Sequence, residues 1–302
     1  MTSNILCIGS VLVDELYFSS ESLILGTSNP STLVRKPGGV ITNIARHLGL
    51  LGHQPELITV FGEDADAVWL KQIFANEGVS TESSITLDQP TGRYASFLQP
   101  DGQLHTAVCT DTIESTLDRS RLANILSQRA KPEWIIADCN LSVDALTLLA
   151  EYAAVEQIQL VIEPVSVPKA KKIAAIQSGT IFMITPNQDE WSVIEQQAAV
   201  MGTDLSRVDR VWISQGEQGS VMKTATASMS VPSHTIQVVD STGAGDAMLS
   251  AWLHATLSGQ NDLTAIQFAH TLALEVLQQQ GAVCEWVDAN TLDKRKHHYY
   301  SS

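Results

Sequence analysis

The stretch Asp240-Ser-Thr-Gly-Ala-Gly-Asp-Ala-Met-Leu-Ser-Ala-Trp-Leu253 constrains this chain more than any other. Small hydroxyl residues and two glycines run without a break into an apolar pattern, with Ala247, Met248, Ala251, Trp252 and Ala255 at helical spacing. That spacing predicts a helix starting at about Ala244. Gly243 and Gly245 remove side chains where the chain turns, so that the N–H groups of Gly243, Ala244 and Gly245 can converge on one point. A helix N-terminus carries unpaired donors and partial positive charge, which suits an anion such as a phosphate. Asp246 then sets a carboxylate at the mouth of that site. A carboxylate repels phosphate, so its presence fits a reaction in which a proton is taken from a hydroxyl attacking phosphorus. The plainer reading of the same residues is a tight turn with a helix-cap carboxylate. The stretch lacks the Lys of G-x-x-x-x-G-K-[ST], and Met248 stands where G-x-G-x-x-G needs its third Gly, which excludes both familiar nucleotide loops.

A second glycine-led helix is predicted from Gly38. Ile41, Ile44, Ala45 and Leu48 give it a core face, and Gly49 and Gly52 are expected to close it. Asn43 lies off that stripe in the first turn, where its amide can reach a ligand, and Gly38 and Gly39 permit close backbone approach. Asn4–Gly9 reads as a buried first strand, with Asp14 just beyond its carboxyl end. Strands at Trp134–Ala137, Gln159–Ile162, Ile181–Ile184 and Val211–Ser214 alternate with helical patterns, as a doubly wound, mostly parallel α/β sheet requires. Ligands of such sheets gather outside the carboxyl ends of the strands, where Asp14 is placed to bind hydroxyls. Two segments, about 15–37 and 89–110, read instead as β-type. The second contains the hairpin turn Pro100-Asp-Gly102 between Thr91–Leu98 and Gln103–Val108. Asn187 and Glu190 stand three apart, the spacing of a capping box. The basic tail Lys294–Ser302 is expected to be frayed and solvated.

At 302 residues and 44% hydrophobic the chain can bury a full core, and the reading is a single domain over 1–302 with the two β segments inserted in it. A net charge of −15 excludes a nucleic-acid surface, which needs a basic stripe. Cys7, Cys109, Cys139 and Cys284 are scattered without a C-x-x-C pair, which suits a reducing compartment and gives no zinc site. No basic leader precedes the short apolar run from Ile5 to Val13, so a cytoplasmic protein without a membrane span is expected.

Four motifs in order carry a resemblance to the PfkB (ribokinase-like) family of sugar and nucleoside kinases. Asp240–Asp246 resembles its D-T-x-G-A-G-D signature, Gly38–Gly52 its G-G-x-x-x-N-x-A signature, Asn187–Glu190 its N-x-x-E motif, and Ser214–Gly219 its nucleotide-side strand and turn. The resemblance implies a ribokinase-like fold whose β segments form a small lid over the acceptor. It implies ATP-dependent phosphoryl transfer with Asp246 as base, and Asp14, Gly38, Gly39 and Asn43 on the acceptor. Ser214, Gly216, Gly219, Thr242, Asn187 and His270 would lie on the nucleotide side. Glu190 and Glu163 would serve Mg²⁺, and Asp240 a monovalent cation such as K⁺. Glu163 stands where many relatives carry Asp, and Ser241 replaces the usual first Thr of the second signature.

A finer resemblance is to the pseudouridine kinases of that family. It rests on Ser28-Asn-Pro30, Ala137–Ser142, and Pro164-Val-Ser166 with Lys169 after it. The implied reaction forms the 5′-phosphate of a nucleoside. A ribokinase- or fructokinase-like sugar kinase is the alternative within the class, and a non-catalytic sugar or nucleoside sensor the alternative outside it. A homodimer is expected by analogy and from a sheet face left exposed. A nicotinamide-dependent oxidoreductase is disfavoured, because the turn after the first strand holds only Gly9.

Overall fold

The computed structural model describes residues 4–300. The strands are β1 (Ile5–Ile8), β2 (Leu12–Ser19), β3 (Ser31–Gly38), β4 (Glu56–Ile58), β5 (Val60–Gly62), β6 (Ile85–Leu87), β7 (Arg93–Leu98), β8 (Leu104–Thr110), β9 (Trp134–Asp138), β10 (Gln159–Glu163), β11 (Ile181–Ile184), β12 (Val208–Ser214), β13 (Ser220–Thr224) and β14 (Ser228–Val231). The helices are α1 (Val40–Leu50), α2 (Ala65–Asn76), α3 (Ile113–Thr116), α4 (Arg119–Ser127), α5 (Val143–Glu156), α6 (Val167–Ala174), α7 (Gln188–Met201), α8 (Ala244–Leu257), α9 (Asp262–Leu277) and α10 (Ala289–Tyr300).

Eight strands form the main sheet in the order β14-β13-β12-β11-β10-β9-β1-β4, parallel from β4 to β12, with β13 and β14 added antiparallel. Its central strands read as unbroken apolar runs because both faces are covered. Alternate side chains divide between two cores. Ile5, Cys7, Trp134, Ile136, Val161 and Met183 join residues of α1, α2, α8 and α9. Leu6, Ile8, Ile135, Ala137, Leu160 and Ile162 join residues of α4, α5, α6 and α7. A one-residue slip in any of these strands would exchange the two sets. Trp252 of α8 is fully buried and meets Trp134, Phe182 and Trp212, which anchors the helix to the sheet.

The β-type segments supply a separate four-stranded sheet, β3-β2-β7-β8. Gly102 takes φ 84° in its hairpin turn, with Gly102 N–H donating to the Gln99 carbonyl at 2.8 Å. β2 leaves the carboxyl end of β1 and β3 runs into α1, so this sheet stands over the carboxyl edge of the main one. Its anchor is ionic. Arg35 and Arg93 each reach the Asp66 carboxylate at 2.6 Å, from β3 and β7 to the first turn of α2, and Arg93 also reaches Glu15 at 3.0 Å.

Two expectations need correction. Gly49 does not end α1; it lies inside the helix, where a Cβ would meet the Glu77 carbonyl oxygen at 2.2 Å. Gly52, with φ 87°, follows the helix end. The basic tail is not frayed over its described part: α10 runs to Tyr300, whose hydroxyl lies 3.3 Å from His270 Nδ1. Ser301 and Ser302 fall outside the described residues.

Candidate active site

α8 begins at Ala244, as its apolar spacing requires. Gly243 caps it with φ 79°, a left-handed conformation, and a Cβ there would lie 2.4 Å from Ala282 Cβ. Glycine is demanded twice over at that position. Gly245 differs: a Cβ on it would meet nothing within 4 Å. No side chain caps this helix, so its first N–H groups stay free. α1, capped by Gly39, and α6, capped by Ser166, also lack a side-chain cap bond. Gly39, Ser166 and Gly243 line one cavity of about 610 Å³, so three helix N-termini without a side-chain cap border it.

Asp246 lines the same cavity in the first turn of α8 and is 7% exposed. Asn43 donates to its Oδ2 at 2.7 Å, while Asn43 Oδ1 is buried without a partner. Burial pushes the Asp246 carboxyl up to about 7; the Asn43 bond opposes that rise, and the Asp138 and Asp14 charges add to it. Asp14 also lines the cavity, and burial raises it to about 6 against the pull of Lys36. The glycine pair of the first signature works indirectly. The space of a Gly38 Cβ is filled by the Asp14 carboxylate, 2.0 Å from Oδ1, and that of Gly39, at φ 101°, by the Ser10 carbonyl oxygen at 2.3 Å. Gly39 lines the cavity beside Asp14 and Asn43, whereas Gly38 seats the Asp14 side chain.

Asn187 and Glu190 form a complete capping box at α7, with 2.9 Å bonds in both directions, and both also line the cavity. Glu163 lies on the same wall and accepts from Val165 N–H at 2.6 Å. Burial raises Glu163 well above the carboxylate range, and the Asp246 and Glu190 charges push it further. Burial likewise raises Glu190, against its bond from Asn187. Two carboxylates facing one cavity, Glu190 buried and Glu163 half-buried, offer the hard oxygens that magnesium takes, and their raised pKa values mark a place short of positive charge. Among the described residues no group of three or more His, Cys, Asp or Glu could hold a metal by itself, so such an ion would lean on phosphate and water oxygens.

Asp240 lies off that wall. Its Oδ1 accepts from Thr242 N–H at 2.9 Å and the Thr242 hydroxyl at 2.7 Å, and its Oδ2 accepts from Gly281 N–H at 3.0 Å. Burial would raise its pKa, but these bonds and the Lys36 charge hold it below the usual carboxylate range. Lys36 Nζ donates to the adjoining Gln280 carbonyl oxygen at 3.4 Å, so a free monovalent cation at Asp240 would stand near an ammonium that repels it.

A second cavity, of about 210 Å³, lies across the turn. Ser214, Ser241, Ala244 and Gly245 line both cavities, so the start of α8 stands between them. Gly216, Gly219, Met248, Ala273, Leu274 and Leu277 complete mostly apolar walls around the second. His270 lines it too, but its Nε2 takes the Ser220 hydroxyl at 2.8 Å, and burial lowers its pKa to about 4. Its part is that of a neutral wall. Ala269 before it is fully buried, and Ala273 of the next turn faces the cavity.

Some site residues had no assigned role at the level of sequence. Lys169 donates to Asn140 Oδ1, and Asn140 Nδ2 donates in turn to Asp138 at 2.9 Å; Lys169, Asn140 and Cys109 all line the larger cavity. Val165 beside them has φ 71°, a strained position for a β-branched residue. The segments Ala137–Ser142 and Pro164–Lys169 were visible as patterns, but only the fold brings the ends of β9 and β10 side by side.

The pattern of the pfkB family of carbohydrate kinases matches residues 2–287. The chain is 29% identical over 279 residues to a pseudouridine kinase of Escherichia coli (strain K12), covering 88% of this chain and 87% of that one. A carbohydrate kinase from Agrobacterium tumefaciens shares the fold with a TM-score of 0.82 at 23% identity, over 97% of both chains. Arabidopsis thaliana ribokinase, solved with ribose and ATP, superimposes with a TM-score of 0.77 at 20% identity, over 98% of this chain and 99% of that one. With its two signatures facing each other across one cavity, this chain belongs to the pfkB family of carbohydrate kinases.

Proposed function

We propose that the chain transfers the γ-phosphoryl group of ATP to the primary hydroxyl of a nucleoside, and that the nucleoside is pseudouridine. The observation that carries the transfer chemistry is the position of Asp246: buried, held by Asn43, and facing the larger cavity directly after Ala244 and Gly245, which both cavities share. The apolar walls at Met248, Ala273 and Leu274 suit the faces of an adenine ring. The larger cavity takes the acceptor, whose sugar hydroxyls bond to Asp14 and Asn43.

Asp246 removes the proton from the attacking hydroxyl, and its raised pKa suits a base working near neutral pH. The free N–H groups of Ala244 and Gly245, with the turn at Gly243, stabilise charge on the transferring phosphoryl group. Glu163, Glu190 and Asn187 would hold hydrated magnesium, which when bound neutralises phosphate charge and lowers the pKa of nearby carboxyls. The four-stranded sheet excludes water that would otherwise compete as acceptor. Loss of the base costs about 10²–10⁴ in rate.

The choice of nucleoside is supported by the Escherichia coli relative and by the Lys169–Asn140 pair. An ammonium and an amide on one wall can read the carbonyl and N–H edge of a uracil ring, whereas a free pentose presents no such edge. The test is ADP release with MgATP over pseudouridine, uridine, cytidine, adenosine, ribose and fructose. A lead for pseudouridine of more than about tenfold in kcat/KM, some 1.4 kcal/mol, is expected. A lead for ribose or fructose refutes the nucleoside assignment and leaves the transfer mechanism standing. Binding without turnover of any acceptor refutes the mechanism.

A further inference from the structure

We infer that Lys36 is a tethered monovalent cation: its ammonium neutralises Asp240 beneath the phosphate-facing turn and takes the place of a free alkali-metal ion there. Lys36 lies on β3, paired across the sheet with Asp14. Its Nζ donates to the Gln280 carbonyl oxygen at 3.4 Å and sits 2.7 Å from where a Cβ on Gly281 would be. Gly281, left-handed at φ 98°, gives its N–H to Asp240 Oδ2 at 3.0 Å. The next residue, Ala282, backs Gly243 so closely that no side chain fits between them. Ammonium, loop, carboxylate and turn are therefore contiguous.

The arrangement answers an electrostatic problem. Asp240 fixes the turn through Thr242 and Gly281, yet it puts a negative charge close beneath N–H groups that must attract phosphate. A positive charge held at the adjoining Gln280–Gly281 segment offsets that penalty. An alkali-metal ion would do so only when bound from solution. A lysine does so whenever its strand is seated, and β3 belongs to the sheet that stands over the acceptor. Lys36 is thus a positioning residue for the turn, and it links the seating of that sheet to phosphate binding.

The test compares the wild-type protein with Lys36→Met and Lys36→Arg in potassium, ammonium and tetramethylammonium chlorides of equal ionic strength. ATP affinity is read by calorimetry and turnover by ADP release. The turnover arm rests on the phosphoryl-transfer reading above; the affinity arm does not. Wild-type and Lys36→Arg values are expected to agree within about twofold across the salts, well below the range of a real coupling. Lys36→Met is expected to bind ATP about tenfold more weakly in tetramethylammonium and to recover in potassium or ammonium. A wild-type affinity that rises about tenfold with potassium overturns the inference, because a free ion then binds. So does a folded Lys36→Met that matches wild type in tetramethylammonium, or one that stays weak in all three salts. If Lys36→Met does not fold, the wild-type salt comparison decides. Equal ATP affinity in every salt without turnover of any acceptor refutes the kinase reading and leaves the tethered cation in place.

Discussion

Replacing Asp246 by Asn is expected to abolish turnover and, above neutral pH, to stabilise the protein. The carboxyl is raised from 3.8 to about 7, chiefly by burial. Between those values the folded state binds a proton that the unfolded chain has released. Stability from this group is therefore full below about 4 and is lost as pH rises through about 7. At 1.36 kcal/mol per unit the whole shift amounts to roughly 4 kcal/mol, of which about 2–3 kcal/mol falls between pH 5 and pH 8. The amide has no such titration, and its oxygen can still accept from Asn43. Urea unfolding of both proteins at the two pH values measures the difference. The variant is expected to gain about 2–3 kcal/mol on wild type between them, while kcat falls by about 10²–10⁴. Parallel pH profiles would refute the buried, proton-holding carboxyl. A variant retaining more than about a tenth of wild-type kcat would refute its role as base.

For wild type, kcat/KM is expected to rise with pH and level off above about 7, the value of the free base, as a pH–rate profile will show. Gly243→Ala puts a Cβ 2.4 Å from Ala282 Cβ at φ 79° and should lower stability by about 1–3 kcal/mol in thermal melts. Gly245→Ala meets nothing within 4 Å; its stability should stay within about 1 kcal/mol of wild type while KM for ATP rises, because both cavities narrow there. Asp66→Ala frees Arg35 and Arg93 from α2. Both arginines are partly exposed, so about 1 kcal/mol or less per pair is at stake. Faster hydrogen exchange in β7 with a raised acceptor KM is the expected result. The edge strands β3 and β8 expose Leu33, Val34, Leu104 and Val108, and light scattering should find a dimer built on them.

Local pattern made the frame of this protein legible. The 3.6-residue spacing after Gly243 and Gly39 located α8 and α1, since an apolar stripe on a helix has one face to bury. The unbroken apolar runs at β9, β10 and β11 marked strands covered on both sides, hence a parallel sheet whose carboxyl ends would hold the site. The two signatures, Gly38–Asn43 and Gly243–Asp246, supply Gly39, Asn43 and the whole Gly243–Asp246 turn to the wall of the larger cavity. Spacing along the chain cannot show what fills the space beside a residue. Gly38 looked like a place for close approach of a ligand, and the fold gives that space to the Asp14 carboxylate. Asn187 and Glu190 carried both a capping pattern and a ligand pattern; in the structure they complete the cap and still face the cavity. The pKa of Asp246, the junction of Lys169 with Asn140, and the reach of Lys36 to the segment beneath Asp240 all depend on groups tens to hundreds of residues apart in sequence. Burial and charge act through space. The sequence by itself determined which elements form and which chemistry they can carry. Only the tertiary structure decided which carboxylates lose water, and which cation stands beside each.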